Sequence, residues 1–269
     1  MEVIPIPNSR ALRIKSGGTT SLVVGDLHLG ISAELAEKGI EIQSQVEKTQ
    51  ERLMELIRKE KAERLFFLGD VKHNIPVTSM QEWEDLPRLF SNLSEVVKVE
   101  VVQGNHDGDI GGLVTRDVSL HPTSGTTVYD GRVGLIHGHA WPEPSLLKAE
   151  KIVMGHNHPT IEFKDELGAR ITEPAWIRTK IKPENLPERL REKVEGEGPE
   201  VIVVPAFSEL IGGSPVNREI PEKLLGPMFE ADAVDLDGAE IFLLDGTFLG
   251  KLENLRSLAK RQKSGSKQE

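Results

Sequence analysis

Residues 101–109 read VVQGNHDGD, an apolar run that stops abruptly at Gly104, Asn105, His106 and Asp107. A buried strand passes into a turn through any convenient Gly, Asn or Asp, so the histidine is the member that turn chemistry does not require. One such ending decides little, but the pattern recurs. TSLVVGDLHLG at 20–30 runs to Gly25, Asp26 and His28, and ERLFFLGDVKHN at 63–74 runs to Gly69, Asp70 and His73. Between them Ile42, Val46, Leu53, Leu56 and Ile57 recur at near-helical spacing in charged sequence, which predicts an amphipathic helix over one sheet face. A second helix is expected at about 79–92. The first half therefore reads as βα units, with three parallel strands ending in glycine and polar side chains.

The second half changes character. TTVYDGRVGLIHGH at 126–139 and IFLLDGTFLGKL at 241–252 each place Asp-Gly between apolar stretches, a hairpin signal. KIVMGHNHP at 151–159 and VIVVPAF at 201–207 add two more short strands. The expected fold class is α/β: two mixed β-sheets packed as a sandwich and flanked by helices. A single domain is expected over residues 1–250. The charged, proline-containing segment around 178–200 reads as an exposed insertion, and the basic tail 251–269 as a frayed terminus.

Composition removes several alternatives. The sequence has no cysteine, which excludes disulfides, thiolate zinc sites and a cysteine nucleophile. No apolar run approaches the ~20 residues of a membrane span. MEVIPIPNSRALRIK lacks the pattern of a secretion signal, so a soluble, cytoplasmic protein is expected. A net charge of −10 argues against broad adhesion to nucleic acid but leaves room for a local basic groove.

Of the 8 histidines, all but His121 sit at or beside these strand ends: His28, His73, His106, His137, His139, His156 and His158. Imidazoles together with carboxylates suit manganese, iron, zinc or nickel, whereas oxygens alone suit magnesium or calcium. Asp26, His28, Asp70, Asn105, His137, His156 and His158 exceed what one ion needs. Two ions about 3.5–4 Å apart, sharing a carboxylate and a hydroxide, would use them all for displacement at phosphorus. Open α/β sheets place ligands beyond the carboxyl ends of their strands, where Asp26, Asp70 and Asn105 are expected to converge.

These stretches, GDLH, GD, GNHD, HGH and GHNH in order from Asp26 to His158, resemble the motif series of the calcineurin-like metallophosphoesterases. The resemblance implies that Asp26, His28 and His158 hold one metal, that Asn105, His137 and His156 hold the second, and that Asp70 bridges them. It further implies that His106 faces the substrate and protonates the leaving oxygen or stabilises phosphoryl charge, with Asp107 orienting it. The nucleophile would be the water or hydroxide between the ions, most readily manganese ions, with iron, zinc and nickel as alternatives. GDVKH, EPAWIR and VVPAFSELIGGSPVN resemble a subgroup with bacterial members encoded beside a DNA ligase and a helicase, and archaeal relatives associated with DNA repair. That likeness implies a phosphodiester substrate, single-stranded DNA or other nucleic acid among the candidates, and a repair helicase or ligase as partner. It indicates no oligomeric state.

Lys72-His73-Asn74 departs from the Asp or Asn with nearby Arg common in the family, leaving His73 open between substrate phosphate and the metal's outer shell. His139 is assigned to substrate contact. His121 reads as an ordinary loop residue, Trp176 as core packing rather than a base-stacking platform, and Asn217 and Arg218 receive no role. Beside the two-metal phosphodiesterase stand a phosphomonoesterase acting on a nucleotide or phosphoprotein and a non-catalytic scaffold.

Overall fold

The computed structural model describes residues 1–165, 168–218 and 225–265. Six strands build the first sheet: β1 (Glu2–Pro5), β2 (Leu12–Ser16), β3 (Thr19–Val24), β4 (Arg64–Leu68), β5 (Lys98–Val102) and β6 (Ser119–His121). They lie in sequence order, antiparallel from β1 to β3 and parallel from β3 to β6. The second sheet contains β7 (Thr126–Val128), β8 (Val133–Ile136), β9 (Lys151–Met154), β10 (Pro159–Lys164), β11 (Arg170–Lys180), β12 (Glu200–Val203), β13 (Ser214–Pro215), β14 (Glu240–Leu243) and β15 (Phe248–Lys251). Its order is β13-β10-β11-β12-β9-β8-β7, with β14 and β15 added beside β11. Both predicted Asp-Gly hairpins form, β7 with β8 and β14 with β15.

Strand alternation produces the layers. Along β4, Leu65 and Phe67 face helices α2 (Val46–Glu60) and α3 (Met80–Ser94), which follow the shorter α1 (Ile31–Glu37). Phe66 and Leu68 face the other way, into the layer between the sheets, where Val153, Trp176, Ile202 and Val204 meet them. On β9, Ile152 and Met154 point to the far side of the second sheet. Helix α3 starts at a capping box in which Ser79 and Glu82 satisfy each other's main-chain amides.

Trp176 is 2% exposed within the inter-sheet layer, so it offers no face to a base. Two expectations need correction. The segment 178–200 is not wholly an exposed insertion: Arg178–Lys180 completes β11, and Ile181, Leu186 and Leu190 are buried on the second sheet. These apolar residues are spaced too irregularly among the charges to announce a packed face. The tail is not frayed from 251 onward, because a C-terminal helix spans Leu252–Gly265, with Leu252 buried and Arg256 Nε donating to the Val216 carbonyl. Residues 266–269 lie outside the described residues.

His121 also has a partner. Its Nε2 lies 2.9 Å from Oε2 of buried Glu100, whose Oε1 accepts from Arg64 Nε and Nη2 at 2.8 and 2.6 Å. Burial alone would raise the Glu100 carboxyl, but the bonds from His121 and Arg64 outweigh it and hold it near about 2, against an ordinary 4.5. A carboxyl depressed in the folded state adds stability that is present above its unfolded pKa and lost as pH falls through the folded one. Glu100→Gln is therefore expected to lower stability by on the order of 2 kcal/mol at neutral pH and to flatten the acid limb between about pH 4.5 and 2. Urea titrations across that range test it; an unchanged acid limb would contradict the assignment.

Candidate metal centre

Five strand ends converge on one patch. The loops after β3 and β4 are zipped together by main-chain bonds from Asp26 N to Gly69 O at 3.1 Å and from His28 N to Asp70 O at 2.8 Å. Gly155 N donates to His137 O at 2.9 Å, joining the loops after β8 and β9. The two pairs meet where His156 N donates to the Asp26 carboxylate at 3.1 Å. Such approach needs glycine at Gly104, where an added Cβ would lie 2.2 Å from Asp70 Oδ1.

Backbone strain marks the same place. Of the 10 non-glycine residues with positive φ among the described residues, Asp26 (58°), His28 (46°), Asp70 (49°), His156 (71°) and His158 (40°) all belong to this patch. Each left-handed residue costs about 1 kcal/mol or more and persists where surrounding structure imposes it, typically at functional sites.

Among the described residues, three sets of side chains each have donor atoms within 4.8 Å of one another: the carboxylate-containing groups Asp26, His28 and His158, and Asp70, His137 and His156, and a third, all-imidazole group of His28, His73 and His106. Asp70 stands between the first two, its Oδ2 at 3.6 Å from His28 Nε2 and 3.4 Å from His137 Nε2. Asn105 Oδ1 lies 3.1 Å from His137 Nε2, beside the second group. The buried Nε2 atoms of His28 and His158 have no hydrogen-bond partner among the described residues, although His158 Nε2 is 3.2 Å from Asp26 Oδ1. Unpartnered buried nitrogens beside carboxylates are the donor set that a divalent transition ion satisfies.

Outer contacts fix which nitrogen each ring presents. His137 Nδ1 donates to the Leu68 carbonyl at 2.7 Å, which leaves Nε2 facing the patch. His28 Nδ1 lies 3.2 Å from His73 Nδ1, and His73 Nε2 lies 2.6 Å from Glu34 Oε2. A carboxylate can only accept, so His73 Nε2 keeps its proton and donates it in a hydrogen bond to Glu34. His73 Nδ1 then accepts from His28 Nδ1 and leaves His28 Nε2 with its lone pair. Burial pushes His28 down to about 3 and, with the charge of His137, pushes His156 down to about 4, so both rings are ready as neutral ligands. Burial also opposes charge on His137, yet Asp70 and Asp26 raise it to about 9 in the metal-free chain; an incoming cation would displace that proton. Asp70 is held well below the carboxylate range because His137 and His28 outweigh its burial.

His106 sits at the edge of both carboxylate-containing groups, its Nδ1 bonded to the His73 carbonyl at 2.5 Å and its Nε2 3.9 Å from Asp70 Oδ2. Asp107 does not orient it, which corrects the sequence reading. Its fully buried carboxylate accepts from Gly104 N at 2.9 Å, Val71 N at 3.0 Å and Lys72 N at 3.3 Å, tying the loop after β5 to the loop after β4. Burial raises Asp107 to about 6. His139 lies with its ring centroid 5.2 Å from that of His137, held down to about 4 by burial and by His137. His73 touches His28 rather than standing free toward a substrate. Lys72 is 1% exposed and turns away, its Nζ 3.0 Å from Asp109 Oδ1. Glu34 escaped sequence reading because it stands in an ordinary charged stretch of α1, with no local feature pointing across to His73.

A family model described as calcineurin-like phosphoesterase matches residues 19–205, the span that carries every one of these strand ends. The chain belongs to the calcineurin-like phosphoesterase family. Phosphodiesterase YfcE of Escherichia coli strain K12 is 31% identical over 122 residues, covering 44% of this chain and 66% of that relative. The chain thus matches just under two thirds of the relative's length. The crystal structure of Pseudomonas putida nuclease MPE superposes with a TM-score of 0.50 at 19% identity, covering 87% of this chain and 97% of that one, a likeness of fold. The two mixed sheets flanked by helices are the architecture of this family, and no described helix is long and apolar enough to cross a membrane.

Proposed function

We propose that this family member is a two-metal phosphodiesterase that acts on phosphodiesters of nucleic acid. The observation that carries the reading is the pair of ligand groups, Asp26/His28/His158 and Asp70/His137/His156, with Asp70 shared between them. Asn105 would complete the second group. Bound ions would supply charge at the phosphoryl oxygens and acidify a water toward a nucleophile near neutral pH. Manganese is the proposed ion, since nitrogen and oxygen donors without thiolate suit it, with iron, zinc and nickel as alternatives.

The chain's own residues have separable tasks. Asp26 and Asp70 concentrate negative charge between imidazoles. Glu34 and His73 fix the tautomer of His28, and Leu68 O fixes that of His137. His106 presents Nε2 to the leaving oxygen, and His139 flanks the phosphoryl group. The activity named for YfcE and for nuclease MPE agrees with a diester substrate, and the sequence likeness to the ligase-linked subgroup supports a role in DNA repair.

Manganese loading is expected to give two ions per chain by elemental analysis. Each ion at 100 times its Kd adds about 2.7 kcal/mol, so loading should raise Tm by about 10 °C relative to protein in EDTA. The loaded protein should cleave bis-p-nitrophenyl phosphate faster than p-nitrophenyl phosphate, and should cut labelled single-stranded DNA. A clear monoester preference with intact DNA would replace the diesterase reading by a monoesterase.

A further inference from the structure

His158 is shared between the Asp26 group and a cavity of about 290 Å³ lined also by Arg10, Thr160, Thr172, Glu209 and Gly213. Arg10 reaches it from the loop between β1 and β2, far from every motif. Its Nη1 donates to the carbonyls of Ala206, at 3.1 Å, and Ser208, which leaves the other guanidinium donors uncommitted among the described residues. No ion pair to Arg10 is formed among those residues, whereas Glu209, the one carboxylate lining the cavity, is taken up by Lys48 at 2.7 Å and Arg52 at 3.2 Å. Lys48 and Arg52 line the adjoining depression beside His28. Three cations and one carboxylate therefore flank the His28 and His158 side of the centre, within a chain of net charge −10. Burial, then the charge of Arg52, press on the Arg10 guanidinium more than the charges of Glu209 and Glu173 support it, and a bound anion would offset that pressure.

We infer that this cavity is the subsite for the strand phosphate next to the one cleaved, with Arg10 as its anion-binding side chain. The inference rests on the phosphodiesterase reading and deepens it. The metal centre treats any phosphodiester alike, and discrimination between a polynucleotide and a small diester requires a second anionic contact at a fixed offset. An arginine is suited to that contact, since its planar donors meet two phosphate oxygens together. The loop 206–208 that Arg10 grips also supports the centre, Phe207 N and Ser208 N donating to Gly25 O and Asp26 O at 2.8 and 3.2 Å. A brace for that loop is the rival explanation, and it predicts equal losses on every substrate.

Two variants separate these. Arg10→Gln removes the charge, and Thr172→Glu adds a like charge to the anion from an exposed strand position that needs no repacking. Binding of fluorescein-labelled (dT)12 to the metal-free protein, read by anisotropy at low salt, should weaken about fivefold or more in each variant. With manganese, kcat/KM on (dT)12 should fall at least tenfold further than on bis-p-nitrophenyl phosphate, chiefly through KM. Unchanged (dT)12 affinity in both variants, or equal proportional losses on the two substrates, overturns the assignment. If the wild-type chain binds (dT)12 through Arg10 yet hydrolyses neither substrate, the subsite stands and the phosphodiesterase reading falls.

Discussion

Asp70→Asn is expected to reduce hydrolysis of bis-p-nitrophenyl phosphate by about a thousandfold or more while leaving the fold intact. The carboxylate does two jobs with two oxygens. Oδ1 accepts from His106 N at 2.9 Å, and Oδ2 faces His137 Nε2 at 3.4 Å and His28 Nε2 at 3.6 Å. An asparagine with its oxygen toward His106 N keeps the first contact and turns an NH₂ toward both imidazoles, where a lone pair is needed. It also removes the one negative charge common to the two ligand groups, so manganese content should drop from two ions per chain to one or none. Far-UV circular dichroism should be unchanged, because Asp70 lies beyond the end of β4 rather than within it. A variant that still loads two ions and turns over normally would show that Asp70 is not the shared ligand.

The strands were legible in the sequence because hydrophobic alternation, glycine and Asp-Gly turns act locally. Phe66 and Phe67 announce a strand buried on both faces, and Asp245-Gly246 announces its hairpin. The candidate site was legible for a different reason: histidines paired with glycine at strand ends have no structural purpose that so many turns would share. What stayed hidden depends on long-range contact. Glu34 meets His73 across 39 positions, and Arg10 meets Ala206 across 196. Charged residues in ordinary surroundings give no sign of such meetings. Asp107 was misread for a related reason. It adjoins His106 in the sequence, but the turn directs its carboxylate into the main-chain amides of Gly104, Val71 and Lys72.

His106→Ala is expected to keep both metal ions and to lose about 10²- to 10⁴-fold in turnover, the range of a positioned proton donor. His106 belongs only to the all-imidazole group with His28 and His73, and its main-chain bond distinguishes it from the proposed ligands. Its Nδ1 is bonded to the His73 carbonyl, which can only accept, so that nitrogen carries a proton and Nε2 is the working atom. Nε2 stands 3.9 Å from Asp70 Oδ2, too far for a hydrogen bond, at the margin of both ligand groups. A proton donor at that position matters in proportion to the basicity of the departing oxygen. The alanine variant should therefore lose far more activity on a diester that expels an alkoxide, such as the 5′-oxygen of a nucleoside, than on one that expels p-nitrophenolate, which leaves without help. Equal losses on the two leaving groups, with two manganese ions still bound, would assign His106 to stabilising phosphoryl charge instead of protonating the leaving oxygen.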